Sequence, residues 1–386
     1  MRSTLLTIIL AATLALTLAL TLSSSRNAVS QTHEAIPDAT RHEADCTLCD
    51  MVPMRHDDLL EGFLQLLRPL GELVSTFSLT PDSELYVAKG LRVIVFVPHP
   101  DDESIAAAGL MQRVLSQGGE VRAVFVTNGD GYPEAVRRKL GHPPRSSLDF
   151  KEYGKARHDE GVQALCEMGV SSEGAIFLGF PDDGIDDLFT DHWSINTPYT
   201  SPHTKLNCAG YKDSYKRWEI YAGVNLRDEI TRILEDFSPD WVVLPDPRDY
   251  HPDHCATGLF VLEAIRKLNL DGKLLLDKIQ VLTYLVHFRD YPASPAWMLE
   301  TQRAGLFMSS TGCGILSSTE WLSLSLTDEE LKGKERALAA HQSQQQMLGG
   351  FFKTFLVPDE IFGKLEPSQF LAIPEEYTAL YQKPKP

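Results

Sequence analysis

Residues 91–103, LRVIVFVPHPDDE, place His99, Asp101, Asp102 and Glu103 within five positions of one another. Carboxylates held this close repel unless a proton or a cation compensates them, and a metal ion does so most simply. A second cluster far along the chain, His251-Pro252-Asp253-His254, offers two imidazoles. His99, Asp102 and His254 together make two imidazoles and a carboxylate, a set that holds a catalytic zinc and leaves a fourth position for water. A structural zinc would more often be closed by thiolates.

HPDH alone arises by chance at helix starts, where Pro and Asp are welcome. Carboxylates after a strand also hold Mg²⁺ for phosphate chemistry, but no Gly-rich phosphate cradle accompanies any strand end here. Taken together, the two motifs point to a metal site.

The elements that must position these residues read as follows. Six of the seven residues Leu91–Val97 are apolar and four are β-branched, so the run predicts a strand buried on both faces, stopped by Pro98 and Pro100. Ser104–Gln117 predicts a helix ending at Gly118-Gly119, and Glu120–Asn128 a second strand ending in Asn-Gly-Asp-Gly. Phe150–Met168 reads as helix, and Gly174–Phe180 as a strand ending in Pro181-Asp182-Asp183. Gly223–Phe237 (helix), Asp240–Leu244 (strand), Ala256–Leu268 (helix) and Ile279–His287 (strand) continue the alternation. Such alternation predicts an α/β fold, a Rossmann-like doubly wound, mostly parallel sheet with helices on both faces. Ligands of such sheets bind beyond the carboxyl ends of the strands. Every polar cluster above falls there, with Asn128 and Asp130 after the second strand.

At 386 residues, 43% of them hydrophobic, the chain can bury a full core. Its 36 Lys and Arg against 53 Asp and Glu give a formal charge of −17, which argues against nucleic acid or an anionic membrane surface as partner. Arg2, the uncharged run Leu5–Leu22 and Ala28-Val29-Ser30 predict a signal peptide over 1–30, with a single-span membrane anchor as the alternative. The body is expected to be exported. Outside the cytosol the six cysteines are free to form disulfides, and no pairing follows from sequence; a structural bridge is the simpler reading of Cys46-Thr-Leu-Cys49.

Residues 31–90 read as a tether and an amphipathic helix over 57–76, and 91–288 as the core. An insertion at 186–221 carries Trp193, Tyr199, Tyr211, Tyr215, Trp218 and Tyr221. It reads either as a loop whose rings stack on sugars or as a small subdomain with its own aromatic core. The extension 289–386 is expected to pack on the sheet edge or rim the pocket, with a helix over 328–347 begun by a Thr327/Glu330 capping box. His341 on that helix reads as a surface residue, and Glu103 as a structural hydrogen-bonder.

PHPDDE after a first strand, HPDH after a later one, Arg157 and Glu160 in R-x-x-E and the Pro181-Asp182 turn resemble the LmbE/PIG-L-type zinc-dependent N-deacetylases. The resemblance covers about Arg92–Phe288, with an echo of the family's K-x-x-A-x-x-x-H-x-S-Q helix in Lys334–Gln344. It implies His99, Asp102 and His254 as ligands of Zn²⁺ or a similar divalent ion, and Asp101 as general base. It implies His251 as donor to the oxyanion or acid toward the departing amine, and Arg157 and Asp182 as holders of sugar hydroxyls. Asp253 is then most simply an orienting residue for an imidazole. The expected activity is removal of acetyl from an N-acetylglucosamine-type sugar or glycoconjugate. The alternatives are hydrolysis of another acylated small molecule or thiol conjugate, and a non-catalytic carbohydrate-binding protein; an intact Asp101 speaks against the last, since a binder needs no base.

Overall fold

The computed structural model describes residues 83–274, 276–288 and 319–366. The apolar run 5–22, the helix expected over 57–76, Cys46, Cys49, Cys313 and the C-terminal end lie outside them. Among the described residues no helix is long and apolar enough to cross a membrane. Cys166, Cys208 and Cys255 are free thiols.

An eight-stranded sheet organises the chain. Its strands are β1 (Ser83–Glu84), β2 (Arg92–Val97), β3 (Glu120–Thr127), β4 (Ala175–Phe180), β5 (Trp241–Pro245), β6 (Gln280–Tyr284), β7 (Glu320–Ser325) and β8 (Asp359–Leu365). They lie in the order β1-β7-β8-β6-β5-β2-β3-β4. β2 to β6 pair in parallel, whereas β8 runs antiparallel between β6 and β7. The helices are α1 (Asp102–Ala106), α2 (Ala108–Ser116), α3 (Pro133–Leu140), α4 (Ser147–Glu167), α5 (Ile185–Thr190), α6 (Gly223–Phe237), α7 (Pro252–Leu270), α8 (Asp328–Ala340) and α9 (Gln342–Thr354).

The absence of a polar face on β2 is the reason for its position. Val93, Val95 and Val97 pack into one core with Ile105, Leu110, Val114 and Leu165, while Ile94 and Phe96 pack into the other with Leu226, Ile230 and Phe260. Val93 to Val97 are fully buried, each worth about 1.5–3 kcal/mol relative to exposure. From β2 the chain proceeds outward through β3 and β4, then returns to the other side of β2 for β5 and β6. The gap between the carboxyl ends of β2 and β5 is therefore the switch point at which a parallel sheet opens a crevice.

Two expected helices are each broken in two. The run 104–117 divides at Ala107 (φ −140°, ψ 18°), and the freed N–H groups of Gly109 and Leu110 donate to the Glu360 carboxylate at 2.8 and 2.9 Å. Lys334 Nζ, 2.9 Å away, balances that buried charge. The run 328–347 divides at His341 (φ −76°, ψ 60°), after the Thr327/Glu330 capping box has started α8 as expected. The extension beyond residue 288 thus supplies two strands of the sheet as well as helices packed on it.

Among the described residues the insertion has no separate aromatic core, and three of its six rings named above join the main one. Tyr199 and Tyr221 are buried there, Tyr221 donates to Gly179 O at 2.8 Å, and Trp193 stacks on Phe260. Trp218 stays 60% exposed.

Candidate active site and metal centre

Pro98 and Pro100 end β2 and fix the turn that follows. Pro98 O accepts from both Thr127 N and Thr127 Oγ1, tying the turn to the end of β3. His99 and Asp102 thereby face one another, with Asp102 Oδ2 3.2 Å from His99 Nδ1 and 3.1 Å from the His99 backbone N–H. At the end of β5, His251 caps α7 and Pro252 takes the first helical position. His254 then stands one turn in, its Nε2 3.3 Å from Asp102 Oδ2. His99, Asp102 and His254, all buried, bring one ligand atom each within 4.8 Å of one another.

His251 and Asp253 lie at the same place. The His251 ring centroid is 5.0 Å from that of His99 and 5.2 Å from that of His254. Its Nδ1 accepts from Asp253 N at 3.2 Å, so a neutral His251 carries its proton on Nε2. The Asp253 carboxylate accepts from Asp183 N (2.8 Å) and Ile185 N (3.0 Å) and lies 3.2 Å from His99 Nε2. Asp182 Oδ1 is 3.1 Å from the same nitrogen, and its Oδ2 accepts from Gly131 N.

Asp101 occupies a φ of 133°, a region that side-chain-bearing residues rarely adopt. Its N–H donates to Glu103 Oε2 (2.9 Å), and its Oδ2 accepts from Arg157 Nη2 (3.0 Å). Arg157 is itself buried and also donates to Pro100 O and Gly129 O. Gly129 has φ 66°, and a Cβ there would run into the guanidinium. These bonds tie Arg157 to the Asp101 carboxylate and to the carbonyls of the two turns beside it.

Burial pushes the Asp101 carboxyl up to about 6 against the pull of Arg157. It opposes charge on His99 and His254 too, yet Asp182 and Asp102 beside His99, and Asp102 and Asp249 beside His254, outweigh it and raise both pKa values. Burial would also raise Asp102, but the imidazoles of His254 and His99 hold it well below the usual carboxylate range. His251, buried next to His99 and His254, is pushed down to about 3. The carboxylates therefore favour positive charge at His99 and His254, and the neutral imidazole is His251.

The donor set fits a divalent cation. Both ring nitrogens of His254 are buried without a hydrogen bond, although Asp102 and Asp249 are close. A cation at Nε2 would satisfy that nitrogen, and mixed imidazole and carboxylate donors suit zinc. His99, His251 and Asp253 form a second trio of similar spacing, but His251 Nδ1 and both Asp253 oxygens already serve backbone N–H groups.

Two residues of the site escaped the reading of the sequence. Asp249 accepts from His251 N, Val286 N and His287 N, and presents Oδ2 3.7 Å from His254 Nδ1, the place of a carboxylate that orients a metal-binding imidazole. His287, just beyond β6, stands 4.7 Å from His254 ring to ring. Each had a signal: Asp249 lies in the PDPRDYHPDH run after β5, and His287 ends the apolar run of β6. His341 is a correction, for it is fully buried and its Nε2 lies 2.8 Å from Glu103 Oε1. Glu103 is the hydrogen-bonder expected. Asp130 and Asn128 are buried as well, and Tyr211 from the insertion donates to Asp130.

A mostly parallel sheet whose switch point gathers histidines and aspartates that could hold a cation defines the class, an α/β protein with a candidate metal centre. Residues 94–265 match the family described as PIG-L, GlcNAc-PI de-N-acetylase, and the chain carries a domain of this LmbE-like family. It is 26% identical over 269 residues to a 1D-myo-inositol 2-acetamido-2-deoxy-alpha-D-glucopyranoside deacetylase of Corynebacterium urealyticum, covering 67% of this chain and 72% of the relative. It is 27% identical over 175 residues to a probable N-acetyl-alpha-D-glucosaminyl L-malate deacetylase 2 of Bacillus anthracis, covering 45% of this chain and 59% of that protein. Among solved structures, the N,N'-diacetylchitobiose deacetylase from Pyrococcus horikoshii aligns with a TM-score of 0.42 at 21% identity, over 81% of this chain and 95% of that one.

Proposed function

We propose that this chain is an exported, divalent-metal-dependent N-deacetylase, with zinc as the cation, acting on N-acetylglucosamine-type sugars or glycoconjugates. The observation that carries the reading is the meeting of His99, Asp102 and the orphaned His254 nitrogen at one point, with Asp101 beside it. His99, Asp102 and His254 would hold the cation, which when bound polarises the amide carbonyl and makes water more acidic. Asp101 takes the proton from the attacking water; a carboxyl near 6 is matched to that task around neutrality. His251, neutral with its proton on Nε2, donates to the oxyanion as the carbonyl carbon becomes tetrahedral. The proton gathered by Asp101 then goes to the departing amine. Asp182, at the end of β4 with Oδ1 3.1 Å from His99 Nε2, would accept from a sugar hydroxyl.

The relatives' named activities favour an amino sugar over another amide. Export rests on Arg2, the charge-free run 5–22 and Ala28-Val29-Ser30. The test is acetate release from N,N'-diacetylchitobiose, N-acetylglucosaminyl-inositol and N-acetylglucosaminyl-malate by the purified protein, before and after chelation and with zinc restored. Release that is lost on chelation and regained with zinc supports the reading. Tight binding of these sugars with no release from any of them would leave a carbohydrate-binding protein instead.

A further inference from the structure

We infer that His341 and Gln344, at the break between α8 and α9, are positioning residues for Asp101, acting through Glu103 and Arg157. The inference rests on the reading of Asp101 as the base.

Asp101 at φ 133° is not held by its own backbone preference, so neighbouring groups must hold it. Two groups do: Glu103 Oε2 accepts its N–H, and Arg157 Nη2 donates to its carboxylate and to the Pro100 carbonyl just before it. Each holder is held in turn from the C-terminal helices. His341 Nε2 lies 2.8 Å from Glu103 Oε1, which also accepts from Ser104 Oγ at 2.6 Å. With its amide turned so that the oxygen faces the guanidinium, Gln344 lies 3.0 Å from the Arg157 nitrogens. Ser343, between them, donates through N and Oγ to Glu160, one turn along α4 from Arg157.

Glu103, His341, Gln344 and Arg157 are all buried. Stability alone would be served as well by apolar side chains at these positions, because buried ionic and polar ties gain little over good packing. The continuous helix is given up at His341 so that its ring turns inward toward Glu103. Ties that do only structural work look different: Arg113 and Glu330 pair bidentately between α2 and α8, away from Asp101.

The test uses the full chain loaded with zinc and N,N'-diacetylchitobiose as substrate, with His341→Ala, His341→Gln, Glu103→Gln, and Glu330→Gln as the control. We expect His341→Ala to lower kcat about 10²-fold while KM and bound zinc stay near native, as displacement of a reacting group costs. His341→Gln, which keeps an N–H toward Glu103, restores most of the loss. Hydrogen exchange in the peptide 98–106 speeds up in His341→Ala and Glu103→Gln. Glu330→Gln lowers Tm yet leaves kcat and that peptide unchanged. Native kcat and native exchange of 98–106 in His341→Ala overturn the inference, as does an equal kcat loss in Glu330→Gln. Asp101→Asn separates the two levels: full activity in that variant removes the base reading, whereas an inactive Asp101→Asn beside a fully active His341→Ala removes only the positioning role. If the native protein releases no acetate, exchange in 98–106 still decides whether His341 holds the turn.

Discussion

His254 Nε2 lies 3.3 Å from Asp102 Oδ2, although the two side chains arrive from the ends of different strands. β5 is hydrogen-bonded directly to β2, so Pro98-His99-Pro100 after one and His251-Pro252 after the other open on the same crevice. The metal reading of the site depends on this adjacency.

Asp101→Asn should keep bound zinc while deacetylation falls by about 10²–10⁴-fold, the usual worth of a general base. As a general base Asp101 would have to be a carboxylate, so activity should be lost as pH falls through its pKa. For a group near 6, kcat/KM rises with pH up to about that value, and a neighbouring cation draws the limb lower. A pH profile that instead declines as pH rises from 4 to 6 would assign the base elsewhere.

His251→Ala should cost about 10²–10³-fold in kcat with KM little changed, as the removal of an oxyanion donor does. Because its pKa is depressed to about 3, the imidazole stays neutral throughout the working range and contributes no basic limb. Metal analysis of the variant decides between the two trios of ligand atoms. Retained zinc fits His99, Asp102 and His254; lost zinc would make His251 a ligand.

Glu229 on α6 is buried, neither of its oxygens finds a hydrogen bond, and burial, then repulsion from Glu219, pushes its carboxyl up to about 8. The folded state thus prefers the protonated form, so this group's contribution to stability declines as pH rises from about 4.5 and is lost above about 8. Glu229→Gln has no such titration. Its unfolding free energy should match the native protein near pH 5 and exceed it by roughly 1–3 kcal/mol at pH 9. Denaturant melts at both pH values check this, and a gain confined to the acid side would refute it.

How far the sequence told the site follows from how local each feature is. PHPDD and HPDH were readable because proline geometry, a strand end and a helix N-terminus are all encoded within a few residues. That the two motifs meet follows from the βα alternation and the switch-point rule. His341 was misread as a surface histidine because its inward direction depends on a helix break that serves Glu103, more than two hundred residues away in the chain. Helical periodicity continues unchanged through that break. The antiparallel entry of β8 between β6 and β7 was equally hidden, since strand partners so distant in sequence leave no mark on the strand itself. Arg157 was readable as a site residue by resemblance, but only the coordinates show its guanidinium turned to Asp101.

The most direct measurement is the zinc content of extensively dialysed native protein and of His254→Ala, each confirmed folded by circular dichroism. The native chain should retain about one equivalent, as one three-ligand site with an open position requires, and the variant close to none. Native protein that takes up no divalent cation, or a folded His254→Ala that holds it as tightly as the native chain, would contradict a centre built from His99, Asp102 and His254.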